Sequence, residues 1–238
     1  MNVRTILIFG LFLTGVAASG PTRAAVARDH APAEAVSPLQ ADFARLFPDE
    51  WARIEAEARR AKRAGRPTAF RSVDAAIGAF MASHARDGLA APDTAVRQVI
   101  LKEATFYASL HHASVRACFL ATHGETSPAV VRVAPGPAAD WLRAKLEAIR
   151  AGMDNPVRAP TPMTDAEARQ IGDLTSKQLL EAGWTQPRID AALDGDLAKT
   201  TEEDVCKLSM AVDLGLMAAD PAVASRLYVG LQAARDQR

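Results

Sequence analysis

Alanine-rich segments with helix-start signals dominate the sequence and restrict the fold more than any other feature. Runs such as EAEARRAKRA and MAVDLGLMAA consist almost entirely of residues that favour helix, and aromatic residues make up only 5% of the chain. Strands are enriched instead in β-branched and aromatic residues, which these runs largely lack. The sequence therefore predicts an all-α fold.

Prolines and capping residues mark where the helices begin. Pro48 is followed by two acids, which suit the first turn of a helix, and Pro92 opens a long segment that we expect to stay helical to Gly124. Thr164 and Thr201 each precede an acidic residue by three positions, the pattern of a capping box. These signals predict an irregular multi-helix bundle of about eight helices.

A proline-rich segment divides the helical part of the chain. Residues 153–163, MDNPVRAPTPM, carry three prolines, which remove backbone donors and disfavour helix before them. We interpret this segment as a linker between an N-terminal helical region, 38–152, and a C-terminal helical region, 164–238. This division is compatible with two helical subdomains.

The N-terminus has the composition of an export signal. Arg4 precedes an apolar stretch that is followed by small residues, so residues 1–27 are interpreted as a signal peptide cleaved between positions 18 and 28. Residues 28–37 are interpreted as a flexible leader. The apolar stretch is shorter than the ~18 residues that a membrane span needs. We therefore expect an exported protein, periplasmic or secreted, with no stable membrane span after cleavage.

The chain has two cysteines, Cys118 and Cys206. An even number of cysteines in an oxidising compartment predicts a disulfide between them, which would have a structural role. Two other interpretations stay open: a pair of buried free thiols, or a reactive thiol with a histidine from another helix.

Charge and motifs exclude several classes of function. The formal net charge is zero, which gives no electrostatic reason to expect nucleic acid as a partner. The histidines of FYASLHHASVRACFLATHGE diverge around a helix, and His112 and His123 would stand about 16 Å apart along it. No zinc, haem, calcium or nucleotide motif is present. We expect no metal and no cofactor.

One polar series lies on the apolar face of the long helix. Glu103, Tyr107 and His111 follow each other at four-residue intervals, so their side chains share one face. In a cleft they would form an acid-base ladder in which Glu103 orients, Tyr107 donates and His111 accepts a proton. The alternative is a polar seam that fixes the packing of the helix.

Two functions are compatible with these features. The first is a non-catalytic binding or adaptor protein of the cell envelope, with an envelope protein or a cell-wall component as its partner. The second is a hydrolase-like enzyme that uses Glu103, Tyr107 and His111 in an interhelical cleft. The absence of catalytic motifs favours the first.

Overall fold

In the computed structural model, which describes residues 37–65, 73–125, 127–194 and 200–235, every element of regular secondary structure is α-helical. The predicted all-α class is confirmed. The predicted signal peptide and residues 28–36 of the predicted leader lie outside the described residues. Within the described part there are twelve helices: α1 (Pro38–Leu46), α2 (Pro48–Arg63), α3 (Val73–Ser83), α4 (Ala85–Ala90), α5 (Asp93–Ala113), α6 (Val115–Thr122), α7 (Pro128–Val131), α8 (Pro135–Asp154), α9 (Asp165–Glu181), α10 (Gln186–Leu193), α11 (Glu202–Ala218) and α12 (Pro221–Arg235).

The long helix expected up to Gly124 is interrupted, and this accounts for part of the difference in helix number. Ser114 has extended backbone angles, φ −164° and ψ 107°, and separates α5 from α6. Its hydroxyl accepts a hydrogen bond from the backbone N–H of Ala117 at 3.2 Å. Serine offers the backbone a side-chain partner in place of the helical one, so the chain starts a new helix here.

The capping boxes predicted from sequence are both formed. Thr164 and Glu167 exchange side-chain and backbone hydrogen bonds at the start of α9. Thr201 and Asp204 do the same at the start of α11. Each box satisfies backbone donors that the first turn of a helix leaves free.

The largest core cluster of the described residues surrounds α5. Its buried side chains come from α5, α8, α9, α11 and α12 and include Ile100, Leu216, Leu227 and Val229. Residues 155–164 contain no helix and are held against other elements by their backbone. Val157 donates its N–H to the carbonyl oxygen of Ala90, and Arg226 donates to two carbonyls of the same segment.

A close backbone contact joins α4 and α8. A Cβ atom placed on Gly152 would lie 1.7 Å from the carbonyl oxygen of Asp87, far inside contact distance. Only glycine allows this approach. The contact fixes the position of α4 beside the cavity described below. Across the described part of the chain, no helix has both the length and the apolar character that crossing a membrane requires.

Candidate functional site

A buried carboxylate on α5 is the centre of the candidate site. Glu103 is only 6% exposed. One of its oxygens accepts a hydrogen bond from the hydroxyl of Tyr107 at 2.9 Å, and the other accepts from the hydroxyl of Tyr228 at 2.6 Å. A buried carboxylate needs such donors, because an unsatisfied one loses its hydration without compensation.

Both tyrosines of the chain therefore bind the same side chain. Tyr107 lies one helical turn after Glu103 and reaches it along α5. Tyr228 comes from α12 and is 125 positions away in sequence. The hydrogen bond of Tyr228 therefore ties α12 to α5, whereas that of Tyr107 stays within α5.

The environment of Tyr228 keeps its hydroxyl protonated. Burial is the largest cause that raises the pKa of Tyr228 well above 10.0, followed by the charge of Glu103 and the hydrogen bond to it. The charge of Asp213, a buried residue of α11, raises the pKa further. Tyr228 is thus a hydrogen-bond donor at any physiological pH and cannot serve as a base there.

Two cavities meet at this network. The larger has a volume of about 410 Å³ and lies between α3, α4, α5, α6, α8 and α12. The smaller has a volume of about 90 Å³ and lies between α5, α6 and the helices from α9 to α12. Glu103, Tyr107 and Tyr228 line both cavities, together with Thr122 and Gln232. The hydrogen-bonded network therefore forms the wall between them.

The larger cavity is mainly apolar. Its walls include Met81, Leu89, Val99 and Ile149, and Lys145 and Glu103 are its charged lining residues. Small residues that are exposed to solvent, Gly78, Ala82 and Ala85, also line it. The cavity consequently opens to solvent along α3 and the start of α4. An apolar cavity of this size with a few polar groups is typical of small-molecule sites, which range from about 300 to 1,000 Å³.

His111, the third member of the predicted ladder, does not join the network. Its Nε2 atom is buried without a hydrogen-bond partner and lies 3.8 Å from a carboxylate oxygen of Glu203 on α11. It lines neither of the two cavities. The structure therefore brings Glu103 and Tyr107 together as expected but directs His111 towards the N-terminal turn of α11.

The two cysteines lie at disulfide distance. Cys118 on α6 and Cys206 on α11 are fully buried in one apolar cluster, and their Cα atoms are 5.8 Å apart. This separation is typical of disulfides. Neither cysteine lines either cavity, so the structural interpretation of the pair is favoured over a reactive thiol.

His112 and His123, the other histidines of residues 106–125, line neither cavity. His112 and His123 are exposed, and the Nδ1 atom of His123 donates to the carbonyl oxygen of Phe119 at 2.8 Å. The described residues contain no group of three or more histidine, cysteine, aspartate or glutamate side chains that could hold a metal ion.

Sequence reasoning missed three members of the site. Tyr228, Trp141 and Lys145 belong to no motif in the sequence, and no helical spacing links Tyr228 to Glu103. The scarcity of tyrosine was one available signal, since a chain with only two would have few ways to satisfy a buried Glu103. Asp213 gave another, because it stands alone among apolar residues in MAVDLGLMAA.

No protein-family model, curated protein or solved structure shows significant similarity to this chain.

Proposed function

We propose that the protein is an exported, non-catalytic helical binding protein of the cell envelope and that its ligand site is the larger interhelical cavity. The observation that carries this proposal is the cavity of about 410 Å³, which has mainly apolar walls and the Glu103 network on one side. The partner would be an envelope protein or a cell-wall component that places a small or narrow group in the cavity.

The state of Glu103 supports binding over catalysis. Both of its oxygens already accept hydrogen bonds from tyrosine hydroxyls, so the side chain is held in place as an acceptor. Tyr228 keeps its proton because burial raises its pKa. A hydrolase-like mechanism would need His111 to exchange a proton with this pair, and His111 lies beside Glu203 instead.

Export is supported by the N-terminal apolar segment and by the two cysteines at disulfide distance. The test is to express the full chain in a cell with a secretory pathway and to determine the N-terminus of the protein outside the cytoplasm. We expect it between positions 18 and 28. Full-length protein retained in the cytoplasm would contradict export.

Binding is tested with N-phenyl-1-naphthylamine, an apolar probe whose fluorescence rises in apolar surroundings. Titration of the probe should be saturable with the native protein. Ala82→Phe places a bulky ring at the exposed opening of the cavity, and we expect it to weaken binding about tenfold or more. Ala79→Phe is the matched control, because Ala79 is exposed on the same helix but does not line the cavity. Equal binding by both variants would contradict the assignment of the site.

A further inference from the structure

The larger cavity is lined by one carboxylate, Glu103, whose hydrogen-bond donors are neutral. Glu103 receives its two hydrogen bonds from the hydroxyls of Tyr107 and Tyr228, which carry no charge. Asp204, another buried carboxylate, forms an ion pair with Arg188 instead. Neutral hydroxyls do not cancel the charge of Glu103, so this charge attracts a cationic group that enters the cavity.

Aromatic rings surround the same space. Tyr107, Trp141 and Tyr228 all line the larger cavity. Trp141 is buried and stacks on Phe106, with ring centres 5.1 Å apart and planes 17° apart. Three aromatic side chains and a carboxylate around one space have the composition of sites that bind ammonium groups, because the ring faces and the carboxylate all attract positive charge.

One of these aromatic rings, that of Trp141, already contacts a cation of the protein itself. The ammonium of Lys145 lies 4.1 Å from the centre of the Trp141 ring. Lys145 is half-buried and lines the larger cavity. The indole of Trp141 thus presents its face to an ammonium group within the cavity, as it would to a ligand.

We propose that the ligand of the larger cavity is a small organic cation, an ammonium group that carries an apolar substituent. This inference rests on the proposed binding function and specifies its ligand class. The ammonium group lies against Trp141 and the tyrosine rings with Glu103 as its counter-charge. The apolar substituent contacts the aliphatic walls, among them Leu89, Val99 and Ile149.

Lys145 has a defined part in this arrangement. Its positive charge repels a cationic ligand and attracts an anionic one. Lys145 therefore affects the affinity of the cavity for cations and for anions in opposite directions. Lys145 has a long flexible side chain that can turn towards solvent when a ligand ammonium takes its place on Trp141. Removing its charge should therefore strengthen the binding of a cation and weaken that of an anion.

The test compares three probes that share an octyl chain and differ in charge: octyltrimethylammonium, 1-octanol and octanoate. Isothermal titration calorimetry is carried out with the full chain. We expect octyltrimethylammonium to bind about tenfold more tightly than 1-octanol, and octanoate more weakly than either. Glu103→Gln should remove most of the preference for the cation and change the affinity for 1-octanol about twofold at most.

Lys145→Met is the second variant, and it changes a half-buried residue that does not take part in the two tyrosine hydrogen bonds of Glu103. It should raise the affinity for octyltrimethylammonium severalfold, so the inference can be decided even if Glu103→Gln fails to fold. Octanoate as the tightest probe, or cation binding that Lys145→Met weakens, would overturn the inference. So would equal affinity for the cation and 1-octanol. In each of these cases the proposed binding function still holds if a probe binds saturably and Ala82→Phe weakens that binding. If no probe binds at all, both the binding function and the inferred ligand class are overturned.

Discussion

The cysteine pair gives the prediction with the largest expected effect on stability. Cys118 and Cys206 are separated by 88 positions, and a bond between them would close a loop of that length in the unfolded chain. A chain-entropy calculation for this loop gives about 4.5 kcal/mol of stabilisation. For a protein of this size each kcal/mol shifts the melting temperature by about 2–4 °C. We therefore expect the oxidised protein to melt about 9–18 °C above the reduced protein.

The experiment compares the oxidised protein, the reduced and alkylated protein, and the C118A/C206A variant by thermal and urea unfolding. Both cysteines are fully buried, so the variant also loses some packing in the cluster around Phe106 and Leu110. The control for that loss is the variant in the presence and absence of reductant, where no change is expected. The melting temperature of the native protein should fall by the expected value of about 9–18 °C when reductant is added.

Mass analysis decides the oxidation state independently of stability. Denatured but unreduced mature protein is treated with an alkylating reagent. A disulfide predicts no added groups before reduction and two after it. Two added groups before reduction, or identical melting with and without reductant, would refute the reasoning for this pair.

Three further predictions concern the packing, the network and the ion pairs. Gly152→Ala should lower the free energy of unfolding by about 2 kcal/mol or more, because the added Cβ meets the carbonyl of Asp87. Gly136→Ala on the same helix is the control: its Cβ has nothing within 4 Å, and it should change the free energy of unfolding by less than about 1 kcal/mol. Equal effects of the two variants in urea unfolding would contradict the close contact. Tyr228→Phe should cost about 1–3 kcal/mol, because it removes a donor from buried Glu103, and a neutral effect in the same measurement would mean that the network is not formed. The protein should lose the stabilisation from Glu167 in acid. The backbone N–H of Thr164 is the largest cause that lowers the folded-state pKa of Glu167 below 4.5, and Arg226 lowers it further. The contribution of Glu167 to the free energy of unfolding is therefore present above its unfolded-state pKa and is lost as the pH falls through the lower folded-state pKa. Glu167→Gln should flatten the dependence of stability on pH in that range, and an unchanged slope would count against this assignment.

The fold class and the helix starts could be predicted because their causes are local. Thr164 and Thr201 cap the helices that follow them, and each signal lies within four residues of its partner. Ser114 was harder to interpret. A serine within a helical pattern is compatible with an exposed helical position, and its role as a cap depends on how α5 and α6 pack.

The candidate site could be predicted only in part, because one of its residues comes from a distant part of the sequence. The pair of Glu103 and Tyr107 follows from helical spacing alone. The second donor, Tyr228, lies 125 positions away, and no periodicity links it to Glu103. The same spacing extends to His111, but four-residue intervals only place side chains on one face of a helix. They do not determine which neighbouring helix each side chain will meet. Glu203 of α11 decides the surroundings of His111.

Lys145 illustrates a related difficulty. Its position one turn after Trp141 predicts that the two side chains can touch, and they do. Nothing in the sequence indicates that α3 and α4 leave a cavity beside them. That cavity depends on the contact between Gly152 and Asp87, which positions α4 through backbone atoms.

The most direct test of the central claim, that the larger cavity is a ligand site, is a crystal structure of the protein with bound N-phenyl-1-naphthylamine. We predict density for the probe between α4, α5 and α8, in contact with Val99 and Ile149 and bounded on one side by the Glu103 network. Probe bound elsewhere on the protein, or a cavity filled by the protein's own side chains, would contradict the account.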